Sequence, residues 1–159
     1  MPNWVLAAGV CVAALIFETL CAGGDPGAAL KQLRQPRWAL PLPAWVAIGL
    51  GYYAACYLAL LRLLDLAGTA RSCITLLVVL MAANGLWNYF FFRRRNYRLS
   101  FWYLFPYVGL AVVVLWCVLV LDRTAGFVVA LYFSYLPYAL AWTFRVWKMN
   151  DNSQAEVRQ

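Results

Sequence analysis

Residues 73–95 read CITLLVVLMAANGLWNYFFFRRR: twenty residues without a charge, Cys73–Phe92, closed by Arg93-Arg94-Arg95. A helix rising 1.5 Å per residue covers about 30 Å in that length, the hydrocarbon thickness of a bilayer. A strand does not fit, because barrel strands alternate over about ten residues and this stretch does not. The stretch predicts a transmembrane helix ending at an arginine-rich interface.

Working outward, the same reading places spans at Trp4–Cys21, Pro43–Leu64, Phe101–Leu121 and Gly126–Trp147. Each is bounded by charges or turn formers. Gly23-Gly24-Asp25-Pro26-Gly27 stops the first, 65–71 separates the second from the third, and Asp122-Arg123 divides the fourth from the fifth. Composition agrees. The 159 residues are 65% hydrophobic and 12% charged, against about 25% charged in soluble domains. A soluble chain this short could not hide so much apolar surface. The expected fold class is an all-α membrane protein, a bundle of five transmembrane helices. One domain would cover 1–150, with a polar C-terminal tail at 151–159. The apolar start lacks the basic n-region and cleavage site of a signal peptide, so it reads as a retained helix.

The charges give an orientation. Lys31, Arg34, Arg37, Arg93, Arg94, Arg95, Arg98, Arg145, Lys148 and Arg158 gather on one side of the expected bundle, and only Arg62, Arg71 and Arg123 on the other. Ten against three puts the N-terminus outside, with the first loop and C-terminus cytoplasmic. The net charge of +7 is thus a topology signal. Anionic lipid rather than nucleic acid is the expected partner of Arg93–Arg95, which follow three phenylalanines at a membrane edge. A bacterial membrane and the mitochondrial outer membrane both fit this pattern.

The sequence contains no histidine, which removes the commonest metal ligand and general base. Its five cysteines, Cys11, Cys21, Cys56, Cys73 and Cys117, form no C-x-x-C pair, and read as small buried hydrophobes rather than metal or redox sites. No paired carboxylates, no Gly-rich phosphate loop and no base beside a Ser or Cys appear, so no catalytic residue and no metal site is assigned.

Between the first two spans lies a loop from Gly23 to about Leu42. Ala28–Leu33 suits a short amphipathic helix. Pro36, Pro41 and Pro43, three prolines in eight residues, impose an extended path after it. The loop reads either as a lid over a site or as an interfacial anchor built on Trp38.

Polar residues inside lipid are costly and mark either function or helix contacts. Asn84 and Asn88 lie four apart on one face of the third span, with Trp87 beside them. They read as interhelical glue or as part of a site. Glu18, the only acid within a span, is expected to snorkel or to pair with Arg34 or Arg37. Tyr132, Tyr135, Ala139, Trp142 and Thr143 form a stripe on the fifth span, suited to packing or to walling a flat ligand.

Three stretches in order resemble the TspO/translocator protein family, the tryptophan-rich sensory proteins or peripheral benzodiazepine receptors. Leu33-Arg34-Gln35-Pro36-Arg37-Trp38 with Pro41 is similar to L-x-K-P-x-W-x-P-P in the family's first loop. Asn84–Phe92 is similar to N-x-x-W-S/T-x-x-F-F. In Asp122–Asn150, Tyr132–Ala139 sits over P-Y-x-x-W-x-x-F-A, and Trp147-Lys148-Met149-Asn150 closes like W-R-x-N. The resemblance implies a five-helix bundle with a pocket under the first loop, dimerisation through its helices, and tetrapyrrole, sterol or synthetic benzodiazepine-site ligands. Carried over, the ligand-binding residues are Trp38, Tyr53, Asn84, Trp87, Tyr135, Ala139 and Thr143.

The chain departs from the pattern in places. Tyr135 replaces the fifth-helix Trp, Leu131 the Pro before it, and Trp142-Thr143-Phe144 the later L-N-Y. The second-helix Trp falls at Gly49 in ungapped register, or at Trp45 after a shift. The expected function is a membrane receptor or carrier for a porphyrin or other tetrapyrrole, with no obligatory cofactor and porphyrin or haem as ligand. The rivals are a light- or oxygen-dependent porphyrin-degrading enzyme, a sterol transporter, and an assembly subunit without a ligand.

Overall fold

The computed structural model describes residues 1–156, with side chains through Asn150 apart from Ala67; Arg158, counted above among the basic residues, lies outside them. Helix α1 (Asn3–Ala22) is uniformly apolar apart from Asn3, Glu18 and Thr19 and stops at Gly23, whose φ of +60° suits glycine and whose N–H reaches the Thr19 carbonyl at 3.1 Å. Helix α2 (Pro26–Gln32) is the short helix expected in the first loop. Asp25 caps it, accepting from the N–H groups of Gly27 at 2.8 Å and Ala28 at 3.1 Å, and Pro26 occupies the first turn.

Helix α3 (Leu42–Asp65) begins one residue before Pro43. The sequence expectation had started the second span at Pro43 and placed Pro36 and Pro41 in extended chain before it. Pro43 is helical because first-turn N–H groups have no partner to lose. A 3₁₀ turn, Ala67–Ala70, leads into α4 (Arg71–Asn88), which widens into a π-helical turn at Tyr89–Arg93. Helix α5 (Tyr97–Leu121) follows, capped by the Asn96 side chain.

The fifth expected span is two helices, α6 (Arg123–Phe133) and α7 (Leu136–Glu156). They break at Ser134-Tyr135 because Pro137 has no N–H for the Phe133 carbonyl and its ring crowds that carbonyl. Helix α7 also continues into the stretch expected as a polar tail. Five helical segments, Asn3–Ala22, Leu42–Asp65, 68–93, Tyr97–Leu121 and 123–150, are long and apolar enough to cross a membrane. No strand occurs among the described residues.

The helices close a ring: α1 packs on α3 and α4, α4 on α5, α5 on α6 and α7, and α6 back on α3. Gly85 sets the α1–α4 approach, since a Cβ there would stand 2.7 Å from the Phe17 ring and 3.4 Å from Glu18 Cα. The end holding Asn3, Asp65 and Asp122 is filled by side chains such as Leu63, Leu77, Val114 and Val118, each at most 1% exposed. At the other end the first loop crosses over the bundle. Asn150 clamps it in both directions, donating to the Arg34 carbonyl at 3.0 Å and accepting from its N–H at 3.2 Å. The Tyr138 hydroxyl accepts from the Leu40 N–H at 2.9 Å. The loop is a lid tied to α7.

Candidate functional site

Under that lid lies a cavity of about 350 Å³, within the size range of small-ligand sites. Each helix contributes one stripe at helical spacing: Leu15, Glu18, Thr19 and Ala22 from α1; Trp45, Gly49, Tyr52 and Tyr53 from α3; Asn84, Trp87 and Asn88 from α4; and Ala139, Trp142 and Thr143 from α7. Tyr107 of α5 and Tyr132 of α6 close the floor. The lid contributes Gly24, Pro26 and Leu30.

Nine of the residues in the wall are aromatic. Trp45 packs on Trp142 with ring centroids 4.6 Å apart and edge-on to Tyr135 at 6.0 Å. Trp87 stacks on Phe91 at 4.8 Å, which in turn meets Trp142 at 5.1 Å. Tyr52 and Tyr132 lie 4.8 Å apart. These mutual contacts fix the rings as a rigid surface. Behind this surface the indole N–H groups of Trp45, Trp87 and Trp142 and the Thr143 hydroxyl are buried without hydrogen-bond partners, while the phenols of Tyr52, Tyr107 and Tyr132 stand beside one another. Each unpartnered group costs about 1–3 kcal/mol, and none of them is open to the cavity.

The polar centre of the cavity is Glu18. Its Oε2 accepts from the Tyr53 hydroxyl at 2.6 Å and from Asn84 Nδ2 at 2.9 Å, and its Oε1 from Asn88 Nδ2 at 3.0 Å. Asn88 also donates to the Asn84 carbonyl at 3.1 Å. Glu18 therefore neither snorkels nor pairs with Arg34 or Arg37. It joins α1 to α3 and α4, and the two asparagines are at once glue between helices and part of the cavity wall. The signal available in the sequence was one lone acid in a span facing two amides four residues apart. Their partnership depends on how far each helix is rotated, which sequence does not state.

Of the seven residues carried over, Tyr53, Asn84, Trp87, Tyr135, Ala139 and Thr143 all line this one cavity. Trp38 does not. It is 46% exposed and packs edge-on against Tyr138 at 5.5 Å, so it belongs to the outer side of the lid. Trp45, Tyr52, Tyr107 and Trp142 complete the wall and were not among the seven. The second-helix position left between two registers is occupied from both: Trp45 supplies the ring and Gly49 the space beside it.

No His, Cys, Asp or Glu group among the described residues converges to hold a metal ion. The groups present can stack a flat ring, donate and accept hydrogen bonds, and hold one carboxylate in an apolar setting.

Comparison with known proteins gives one family and no near relative. No curated protein matches the chain. The model of the TspO/MBR family matches residues 7–148 of the 159, from the first helix to the last and across every wall of the cavity. Fold, spans and match agree: the chain is an integral, multi-pass membrane protein that belongs to the TspO/MBR family.

Proposed function

We propose that this protein is a membrane receptor or carrier that binds a flat tetrapyrrole, such as a porphyrin, in the cavity beneath the first loop. Family membership supports ligand binding or transport. The observation that carries the finer reading is the aromatic wall standing around one polar cluster, Glu18 with Tyr53, Asn84 and Asn88. A rigid aromatic ring with polar atoms on its rim meets both features at once. Trp45 and Trp87 supply stacking surface, braced from behind by Trp142, and Asn84 orients the ring. The acidic tails of a porphyrin point to the mouth, where the lid and the α4–α5 turn carry Lys31, Arg34, Arg37 and Arg93–Arg95. That end faces the cytoplasm, by the same excess of basic residues. The lid reports or controls occupancy through its ties to α7.

The test is a titration of the purified chain with protoporphyrin IX in the dark, read by tryptophan quenching. Saturable binding is expected, weakened about tenfold by Trp87→Ala, the effect of losing one good aromatic contact, and also weakened by Asn84→Ala. Absence of saturable quenching, or variants that bind like the parent, would remove this reading. Illumination of the bound complex then separates a carrier from a degrading enzyme, since only the latter consumes the porphyrin.

A further inference from the structure

Glu18 has solvation but no counter-charge. Tyr53, Asn84 and Asn88 are neutral donors, and they occupy three of the roughly four acceptor positions of a carboxylate. The open position is on Oε1. The only ion pair among the described residues is Arg62–Asp122, at the far end of the bundle. Arg93, on the turn facing the end of α1, gives a guanidinium N–H to the Leu20 carbonyl at 3.2 Å. Hydrogen bonds from neutral groups hold a carboxylate in place without cancelling its charge, and in a poorly screened setting that charge attracts a cation.

The cavity that holds the carboxylate is walled by the rings of Trp45, Tyr52, Trp87, Tyr132, Tyr135 and Trp142. Aromatic faces attract cations, and an aromatic cage is a recurring way to bind ammonium groups. An anionic group is repelled from the same place, and a neutral ring gains only contact area. We propose that the cavity is selective for flat organic cations, whose protonated nitrogen seats on the free Oε1 of Glu18 while the ring lies among the tryptophans. This rests on the proposed function in one respect, that the cavity admits a flat ring. It adds an orientation: a cationic edge goes deepest, toward Glu18, and acidic substituents face the mouth.

The experiment uses the full chain in nanodiscs of zwitterionic lipid, so that the bilayer itself does not collect charged dyes. Three acridines of nearly the same shape are titrated at neutral pH: 9-aminoacridine, which is cationic, acridine, which is neutral, and acridine-9-carboxylate, which is anionic. The expected order is cation, neutral, anion, with the cation bound about tenfold or more tightly than acridine, the worth of one charged hydrogen bond. Glu18→Gln keeps the side-chain shape and a carbonyl acceptor. It should abolish the preference, so that the cationic and the neutral dye bind alike. Equal affinities for the three dyes on the unaltered chain overturn the proposal without recourse to any variant, as does a preference that survives Glu18→Gln or failure of all three to bind. Dyes ranked by charge with no protoporphyrin binding would instead overturn the tetrapyrrole reading alone, and porphyrin binding with no ranking would overturn this one alone.

Discussion

The two ends of the bundle are built from the same helices and solve opposite problems. At the end away from the first loop, α3, α4 and α5 meet through Leu63, Leu77, Val114 and Val118, which leave almost nothing exposed. Polar groups there sit at the rim. Asn3 donates to Asp65 at 2.7 Å, and Arg62 pairs with Asp122 at 3.0 Å. At the lid end the same helices present Trp, Tyr, Asn and Glu, which are too large and too polar to interdigitate, and a cavity of about 350 Å³ remains. Branched aliphatic side chains close a bundle. Rings braced on one another hold it open, around the polar cluster of Glu18, Tyr53, Asn84 and Asn88. Stability and binding are thus assigned to different ends.

That division predicts its own largest contrast. Leu63→Ala, at a position with no exposure, should cost about 2–5 kcal/mol, seen as a fall of roughly 4–20 °C in the thermal midpoint, with ligand affinity in the purified protein preserved. Tyr135→Ala, beside existing empty space, should cost about 1 kcal/mol or less and weaken binding. Equal stability losses would mean that the lid end also holds the bundle together. Somewhat below Leu63→Ala comes Gly126→Ala. A Cβ there would lie 2.5 Å from Leu119 Cδ2 and 2.8 Å from Leu119 Cα. Backbone cannot step aside as a side chain can, so a loss of about 1–3 kcal/mol is expected. The same methyl at Gly85 meets chiefly the Phe17 ring, which can rotate, and should cost less.

How much of this was legible follows the same line. The five spans were readable because lipid demands about twenty apolar residues and charges bracket each run. The cavity stripe Asn84, Trp87, Asn88 was readable because spacing along one helix is fixed by geometry. What required the fold was the rotation of one helix against another. Glu18 faces Tyr53 and Asn84 rather than a basic loop residue, and nothing along α1 alone says so. The break before Pro137 follows from its missing N–H, but an apolar run continuing on both sides masks it. The π-helical turn at Tyr89–Arg93 left no mark among successive aromatics. Trp38 lies in a motif yet off the wall, because a motif fixes order in sequence and not which side of a lid faces inward.

Smaller effects sharpen the contrast at the rims. Asp122 has two duties: its Oδ1 accepts from the Ala125 N–H at 2.8 Å, capping α6, and its Oδ2 pairs with Arg62. Asp122→Ala should lose about 1 kcal/mol, mostly from the cap. Arg62→Ala should lose about 0.5 kcal/mol or less, because the Arg62 side chain is 53% exposed and its pairing is screened. Thermal midpoints of the two variants, measured with and without added salt, check the division. Only the difference due to the ion pair should shrink with salt.

The smallest expected effect is at Trp38, and it bears most directly on how the lid works. The lid is held without this ring, by the two-way clamp from Asn150 to Arg34 and by the Leu40 N–H on the Tyr138 hydroxyl. Trp38 adds an edge contact to Tyr138 from a half-exposed position, worth about 0.5 kcal/mol at the low end for aromatic pairs. Trp38→Ala should therefore move the thermal midpoint by only about 1–2 °C and leave porphyrin affinity in the dark within about twofold. The resemblance to the family places this residue on the wall, and the two accounts differ in what the titration returns. A loss as large as that from Trp87→Ala would mean that the lid turns Trp38 inward when the ligand arrives. The closed wall would then include a further ring, one that now lies on the outer side of the lid.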